Sequence, residues 1–265
     1  MRTVRDVLFN IDDVGVLHSV NAAALDIVRR GVVRSVSVVA PAPWTPGFVA
    51  QLRAERLEVD VGVHLALNSE WSACRMRPVL AGQVPSLVDV TGYLHASVDE
   101  LAAAVDLEEA RRELLAQVAH VRGLGVRPTH LDAHMLFYEA GPGLRAVLLD
   151  VAETLRLPVL LYCASSIAAA RERGVPAPDF GTLANYWFAT GERRGGYLDL
   201  LDRLPAAGVS ALTVHPALAS SELDRCMGGE EAAHRAEEHA IFADDELFPT
   251  SGIRVRAPRD LWGER

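Results

Sequence analysis

The segment FNIDDVGVLHSVNAAALDIVRRGVVRSVSVV, residues 9–39, decides the fold because it contains a strand, a helix and a second strand in close succession. Runs of apolar and β-branched residues predict strands at residues 4–11 and 34–40. Between them, the spacing of apolar residues predicts a helix at residues 19–30. Its end signals are Ser19 or Asn21 as the N-cap and Gly31 as the stop. A strand, a helix and a strand in this order favour a parallel βαβ unit.

The same alternation continues along the 265-residue chain and predicts a largely parallel sheet in one α/β domain, residues 1–265. Further strands are predicted at residues 59–65, 129–132, 159–162, 209–214 and 253–255. Further helices are predicted at residues 99–124, with a break near Asp106, and at residues 142–155 and 230–245. Two stretches, about 68–98 and 164–196, fit no regular element and are predicted to be irregular insertions. The first is either a lid over the site or a plain insertion.

Composition limits the classes of function. Half of the residues are hydrophobic and 23% are charged, which is typical of a globular protein. The net charge is −9, and the sequence has no stripe of basic residues. Both features argue against nucleic-acid binding, because the phosphate backbone is negatively charged. Acidic residues interrupt both the N-terminus and the apolar stretch after Leu144, so we expect no signal peptide, no membrane span and a cytoplasmic location.

The three cysteines are far apart in sequence and are expected to be reduced, structural thiols: Cys74, Cys163 and Cys226. A homodimer is expected only from base rates.

Polar side chains that could carry chemistry follow four of the apolar strands. In a barrel or an open parallel sheet, the functional site lies at the carboxyl ends of the strands. The candidate groups are Asp12 with Asp13, His64, the run HLDAH at residues 130–134, and His215 with Pro216. We therefore expect these groups to lie at one edge of the sheet.

Asp12 and Asp13 are adjacent, and adjacent side chains of a strand point to opposite faces. Both can serve one site only where the strand is ending, next to the flexible Gly15. One carboxylate could then bind a cation while the other takes a proton from water; the alternative is a helix cap or a solvated turn. His64 is either a metal ligand or a satisfied core histidine. His215 is either a proton donor or a polar strand end.

The two histidines of HLDAH cannot both bind one ion from a straight strand. His130 and His134 share a face, but four steps along a strand place their Cα atoms about 13 Å apart. Either the chain curls after Asp132, or only one histidine is a ligand and the other orients neighbouring groups. His134 lies nearer the end of the strand and is the better candidate ligand. Asp132 could accept a hydrogen bond from a ligand histidine.

Four segments, in this order, resemble the YdjC-like family: residues 9–39, then VGVHLAL, RPTHLDAH and VHPAL. The family includes bacterial chitooligosaccharide deacetylases and is related to polysaccharide deacetylases. The resemblance extends to about residue 260. It implies a distorted, incomplete TIM-like (β/α) barrel. It also implies an enzyme, a carbohydrate deacetylase that removes N-acetyl groups from a sugar or oligosaccharide with the help of a metal ion.

The resemblance also implies roles for five residues of this chain. The metal ligands would be Asp13, His64 and His134, which hold one divalent ion, zinc or magnesium. Asp12 would be the general base, and His215 stands where a general acid is needed. Such an ion polarises the acetyl carbonyl and activates water.

Two features depart from the family pattern and keep other interpretations open. Residues 135–138 are apolar or aromatic where family members carry further histidines, and no arginine follows the strand LPVLLYC. One alternative is therefore a catalytically silent sugar- or metabolite-binding protein on the same scaffold. The other is a metal-dependent phosphoesterase, which would use a two-metal centre.

Overall fold

The structure, a computed structural model, describes residues 4–244 and 252–263. Its strands form one parallel sheet whose interior residues are almost all buried. In chain order they are β1 (Arg5–Val14), β2 (Ser35–Val39), β3 (Asp60–Leu65), β4 (Leu131–Ala133), β5 (Phe180–Thr182), β6 (Val209–Val214) and β7 (Ile253–Val255).

Helices connect most of these strands, as expected for a parallel sheet. They are α1 (His18–Arg30), α2 (Thr45–Glu55), α3 (Val98–Ala104), α4 (Leu107–Gly123), α5 (Pro142–Leu155), α6 (Ala164–Glu172), α7 (Arg193–Arg203), α8 (Ser221–Met227), α9 (Gly229–Phe242) and α10 (Pro258–Trp262). Short 3₁₀ segments lie at Pro85–Leu87, His134–Glu139 and Ala184–Trp187.

The sheet has the strand order β4-β3-β2-β1-β6-β5, and β7 pairs with the beginning of β1. All the pairings are parallel. The sheet curls into a half-barrel, so the predicted α/β fold with an incomplete (β/α) barrel is confirmed. The curl places the carboxyl ends of β1, β3, β4 and β6 around one site.

Several predicted elements have the expected bounds. The helix at 142–155 and the strands at 209–214 and 253–255 match α5, β6 and β7. The predicted helix at 99–124 is broken as expected, since the Asp106 carboxylate accepts hydrogen bonds from the first backbone N–H groups of α4. The predicted helix at 230–245 corresponds to α9, and residue 245 lies outside the described residues.

Other expectations were wrong. Ser19 does not cap α1, because the helix begins one residue earlier and its N-cap, Leu17, has no side-chain cap. The Asn21 side chain instead accepts a hydrogen bond from the backbone N–H of Gly15 and so fixes the turn after β1. The stretch 164–196 is not irregular: it contains α6 and β5, which add a further unit to the sheet. The predicted strand at 159–162 forms only one bridge, beside β4.

The cysteines are free, as expected, but two of them are neighbours. Burial, with the adjacent Cys226 thiol, raises the pKa of Cys74 to about 12. Cys74 therefore remains a protonated, unreactive thiol at neutral pH. Among the residues that the structure describes, no helix is both long and apolar enough to cross a membrane.

Candidate metal centre and active site

Asp12 and Asp13 face the same cavity because β1 contains a bulge. The strand continues to Val14 rather than ending at the aspartates, but its register against β2 shifts between Ile11 and Val14. Asp13 has a φ of 58°, a left-handed conformation that is uncommon for an aspartate in a strand. The bulge redirects one of the two side chains. Both carboxylates are buried and line one cavity of about 220 Å³.

Three atoms from distant parts of the chain converge in this cavity. Asp13 Oδ1 lies 3.4 Å from His64 Nε2 and 3.1 Å from His134 Nδ1. The two ring nitrogens are 3.3 Å apart. Ligand atoms at about 2.0–2.1 Å from a tetrahedral zinc ion are themselves about 3.3–3.4 Å apart. The triangle therefore has the size of one face of a tetrahedral metal site, and these residues fit a cation.

Each histidine of this triangle has a carboxylate at its other ring nitrogen. His64 Nδ1 lies 3.4 Å from Asp132 Oδ2, and His134 Nε2 lies 2.9 Å from Glu70 Oε2. A carboxylate at the far nitrogen orients the ring and fixes its proton there, which leaves the near nitrogen as an electron-pair donor. Asp132 thus lies where the sequence placed an orienting group, and Glu70 is an additional one.

Arg235 forms an ion pair with the second carboxylate oxygen of Asp13, Oδ2. Its Nη2 donates to Asp13 Oδ2 at 2.7 Å and to Glu231 Oε1 at 2.9 Å. Its guanidinium also lies over the Trp71 ring, 5.4 Å from the centroid. The guanidinium leaves Asp13 Oδ1 as the oxygen that faces the two histidines.

A second group of possible metal ligands lies beside the first, but the Asn10 side chain already binds its two carboxylates. Asp12, His64 and Asp132 also have atoms within bonding range of one ion. The Asn10 side chain, however, donates to Asp12 Oδ1 at 2.6 Å and to Asp132 Oδ2 at 3.1 Å. Because an amide N–H₂ group stands between these carboxylates, the geometry favours a single cation at Asp13, His64 and His134.

The segment HLDAH takes the second of the routes that the sequence left open, since only one of its histidines is in the triangle. His130 points away from the triangle: its Nε2 lies 3.1 Å from Ser37 Oγ and 3.2 Å from Asn10 Oδ1. After β4 the chain curls sharply, since Met135 and Leu136 have φ values of 51° and 50°. This turn follows His134, which lines the cavity directly after the end of β4, while the His130 ring contacts the Asn10 amide.

His215 lines the same cavity and lies next to Asp12. Its Nε2 is 3.8 Å from Asp12 Oδ2, and its ring packs edge-to-face against Tyr186. Its backbone N–H donates to Glu238 Oε2 at 2.6 Å. Glu238 is held in turn by Arg193, so α9 anchors the end of β6.

Burial and neighbouring charges shift the pKa values of these groups. Burial and the nearby Asp132 raise the pKa of Asp12 well above its usual range. Burial opposes ionisation of Asp13 too, but the Arg235 guanidinium and the histidine rings hold the pKa of Asp13 well below its usual range. Burial disfavours a charged His134, yet Glu70 and Asp13 raise its pKa to about 9. Burial lowers the pKa of His215 to about 4.

The fold and the site together define a class of protein: a parallel α/β half-barrel with a buried centre of two histidines and one aspartate at the carboxyl ends of its strands. Comparison with known proteins narrows this class. The chain belongs to the YdjC-like protein family, whose model matches residues 6–250.

Individual relatives agree with this assignment. The carbohydrate deacetylase of Thermus thermophilus is 35% identical over 82% of this chain and 80% of its own length. That of Geobacillus stearothermophilus is 29% identical over 97% of this chain and 98% of its own length. A crystal structure from Enterococcus faecalis V583, of a protein whose name associates it with cellobiose-phosphate cleavage, has a TM-score of 0.83 and 25% identity. The match covers 97% of this chain and 99% of that one.

Sequence reasoning did not identify Glu70 or Arg235. Glu70 follows β3 by five positions in a polar loop, which was a weak signal for a residue near the site. Arg235 stands four residues after Glu231, a spacing typical of a solvent-exposed ion pair, and only the fold reveals its contact with Asp13. The first two arginines further along the chain after LPVLLYC do not replace the missing one: Arg171 is near Asp179, and Arg173 pairs with Glu153.

Proposed function

We propose that this protein is a metal-dependent hydrolase that removes the N-acetyl group from a sugar or oligosaccharide. The observation that carries the proposal is the triangle of Asp13 Oδ1, His64 Nε2 and His134 Nδ1, with the Asp12 carboxylate beside it. The names of the two carbohydrate deacetylases that resemble the chain support the same reaction.

Asp13, His64 and His134 hold the cation, and their donor set of two imidazoles and one carboxylate favours zinc over magnesium. A divalent cation bound there polarises the acetyl carbonyl and lowers the pKa of water. Arg235 keeps Asp13 in position through the oxygen that does not face the histidines. Each of the three ligands is therefore oriented by a second contact before a cation binds: Asp13 by Arg235, His64 by Asp132 and His134 by Glu70.

Asp12 acts as the general base. Asn10 donates to Asp12 Oδ1, which fixes the carboxylate and leaves Oδ2 directed towards His215. A base must lie within hydrogen-bond reach of the proton that it removes. Asp12 takes a proton from the attacking water and lies next to the residue that must later deliver one.

His215 passes a proton on to the departing amine. Because burial lowers the pKa of His215 to about 4, the imidazole is neutral at neutral pH and must first receive that proton from Asp12, whose Oδ2 lies 3.8 Å from its Nε2. The edge-to-face contact with Tyr186 and the hydrogen bond from its backbone to Glu238 hold the imidazole at the cavity wall. Loss of the amine requires protonation, because an unprotonated amide nitrogen is a poor leaving group. Asp12 and His215 therefore act one after the other, the first removing a proton from water and the second delivering one to the amine.

The cavity wall opposite these residues is apolar. Met135 and Leu136, which replace the polar residues of the family pattern, line it together with Leu183. An apolar wall excludes water and strengthens the electrostatic interactions inside the site. The departure after His134 is thus compatible with catalysis and changes the surroundings of the substrate.

The substitution Asp12→Asn tests the proposal. We expect this variant to lose acetate release from N-acetylated sugars by at least about 100-fold while binding one zinc ion per chain, because Asp12 removes a proton but holds no metal. Acetate release and metal content are measured on the same samples. Asp199→Asn, an exposed substitution on α7, is the control. Full turnover by Asp12→Asn would exclude Asp12 as the base, and a wild type that binds sugars but releases no acetate would favour the silent binder.

A further inference from the structure

Two aromatic residues outside the catalytic constellation separate the site from a second cavity. Tyr186 and Trp187 lie in the 3₁₀ segment that follows β5, and both line the 220 Å³ cavity and an adjoining cavity of about 670 Å³. Tyr186 is 45% exposed and Trp187 is 85% exposed. Two exposed aromatic rings at the junction of two cavities offer a ligand a large apolar contact area.

One side of the larger cavity is polar, while Trp187, Phe188 and Met227 line other parts of it. The polar side is formed where α8 meets α9, by Gly228, Gly229, Glu230, Glu231 and His234. A wall of this kind suits hydroxyl groups and does not suit an aliphatic chain, which needs apolar walls on every side.

The charges of this cavity favour a ligand without negative charge. Its two guanidinium groups are neutralised: Arg193 pairs with Glu238, and Arg235 pairs with Asp13 and Glu231. Glu230 adds a further carboxylate at the rim. An anionic group would therefore meet net negative charge at short range.

We infer that the larger cavity binds the next, uncharged sugar unit of an oligosaccharide, with the apolar face of that sugar stacked on the Trp187 indole. The inference rests on the proposed function, since it places the acetylated unit in the small cavity beside Asp13. A cavity of 220 Å³ is below the usual size of a complete ligand pocket, so a longer substrate must continue past Tyr186 and Trp187. Trp187 then determines the preferred length of the substrate.

Binding is measured without turnover, in the Asp12→Asn protein loaded with zinc. Isothermal titration calorimetry compares N-acetylglucosamine with its β-1,4-linked dimer. We expect Trp187→Ala in this background to weaken binding of the dimer by roughly tenfold or more. Binding of the monosaccharide should weaken by a much smaller factor, because Trp187 also lines the small cavity. Trp187→Phe retains an aromatic face and should restore most of the affinity for the dimer.

Phe180→Ala is the matched control, because Phe180 is also an exposed aromatic residue but lies at the opposite end of β5. It should change neither affinity. Equal affinity of Trp187→Ala and its parent for the dimer would overturn the inference, and so would equal losses for dimer and monosaccharide. Tighter binding of a dimer that carries a phosphate monoester would overturn the choice of an uncharged ligand.

Acetate release separates this inference from the proposed function. In the otherwise wild-type protein, Trp187→Ala should lower kcat/KM for the dimer by a much larger factor than kcat/KM for the monosaccharide. An unmodified protein that releases acetate from neither sugar contradicts the proposed function, whatever the calorimetry shows. Release from both sugars with no effect of Trp187→Ala on either contradicts only the role of Trp187.

Discussion

At the residue scale, the site depends on the different partners of the two carboxylate oxygens of Asp13. Oδ2 accepts from Arg235, and Oδ1 faces the two histidines. The sequence could place the aspartates and His64, His134 and His215 near each other, because each follows an apolar strand. It could not identify Glu70 and Arg235, whose partners lie 64 and 222 positions away along the chain. Such contacts are set by the curl of the sheet and by the docking of α9.

Glu70→Ala tests whether the carboxylate behind His134 supports metal binding. Loss of the contact to His134 Nε2 frees the ring and removes a charge that favours the cation, so we expect zinc affinity to fall by about 10- to 100-fold. Competition with a chromogenic chelator measures the affinity. Glu230→Ala, which removes an exposed carboxylate from α9, should leave it unchanged. Equal affinity in both variants would show that Glu70 does not support the centre.

Arg235→Leu tests the ion pair with Asp13. Removing the guanidinium leaves a buried carboxylate without its main partner, and we expect the metal-free protein to lose about 3–5 kcal/mol of unfolding free energy. Urea denaturation in the presence of a chelator measures the loss. Arg225→Leu, at an exposed position on α8, is the control. A loss below about 1 kcal/mol would mean that Asp13 does not depend on Arg235.

At the scale of elements, the sequence predicted helix ends correctly where a residue type with a strong preference for that position marks the end. The break near Asp106 and the bounds of α5 were predicted correctly. Prediction failed at 164–196 because β5 is only three residues long, is not fully buried and is defined by its pairing with β6, a contact that local sequence does not reveal. The β1 bulge was also not predictable, although the need for both aspartates to share one face was.

Gly62→Ala tests the packing beneath the site. A Cβ at this position in β3 would overlap the His130 ring, which itself holds Asn10. We expect the free energy of unfolding to fall by about 1–3 kcal/mol, because a buried ring has little room to move. Urea denaturation measures this change. Gly47→Ala, in α2 with open space around its Cα, should be neutral or slightly stabilising; equal behaviour of the two variants would contradict the close approach.

At the scale of the whole molecule, the curl of the sheet makes the site. The strand order places β1 and β4 three strand spacings apart, which is about 14 Å in a flat sheet. Side chains from their ends could not reach one cation across that distance. The half-barrel shortens it, and the small Ser35 and Ser37 of the intervening β2 leave room for the Asn10 and His130 side chains.

Zinc should therefore stabilise the folded chain as a whole. A ligand that binds only the folded state adds about 2.7 kcal/mol when its free concentration is about 100 times Kd. We expect thermal denaturation to show a higher Tm with zinc for the wild type and for His120→Ala, an exposed substitution on α4. His64→Ala should show little or no increase. The same zinc-dependent increase in His64→Ala would place the binding site elsewhere.

The most direct measurement is a crystal structure of the zinc-loaded protein with anomalous diffraction recorded at the zinc edge. We predict one anomalous peak per chain, within bonding distance of Asp13 Oδ1, His64 Nε2 and His134 Nδ1. Two peaks per chain, as in a two-metal phosphoesterase, or a single peak away from these three atoms would contradict the account.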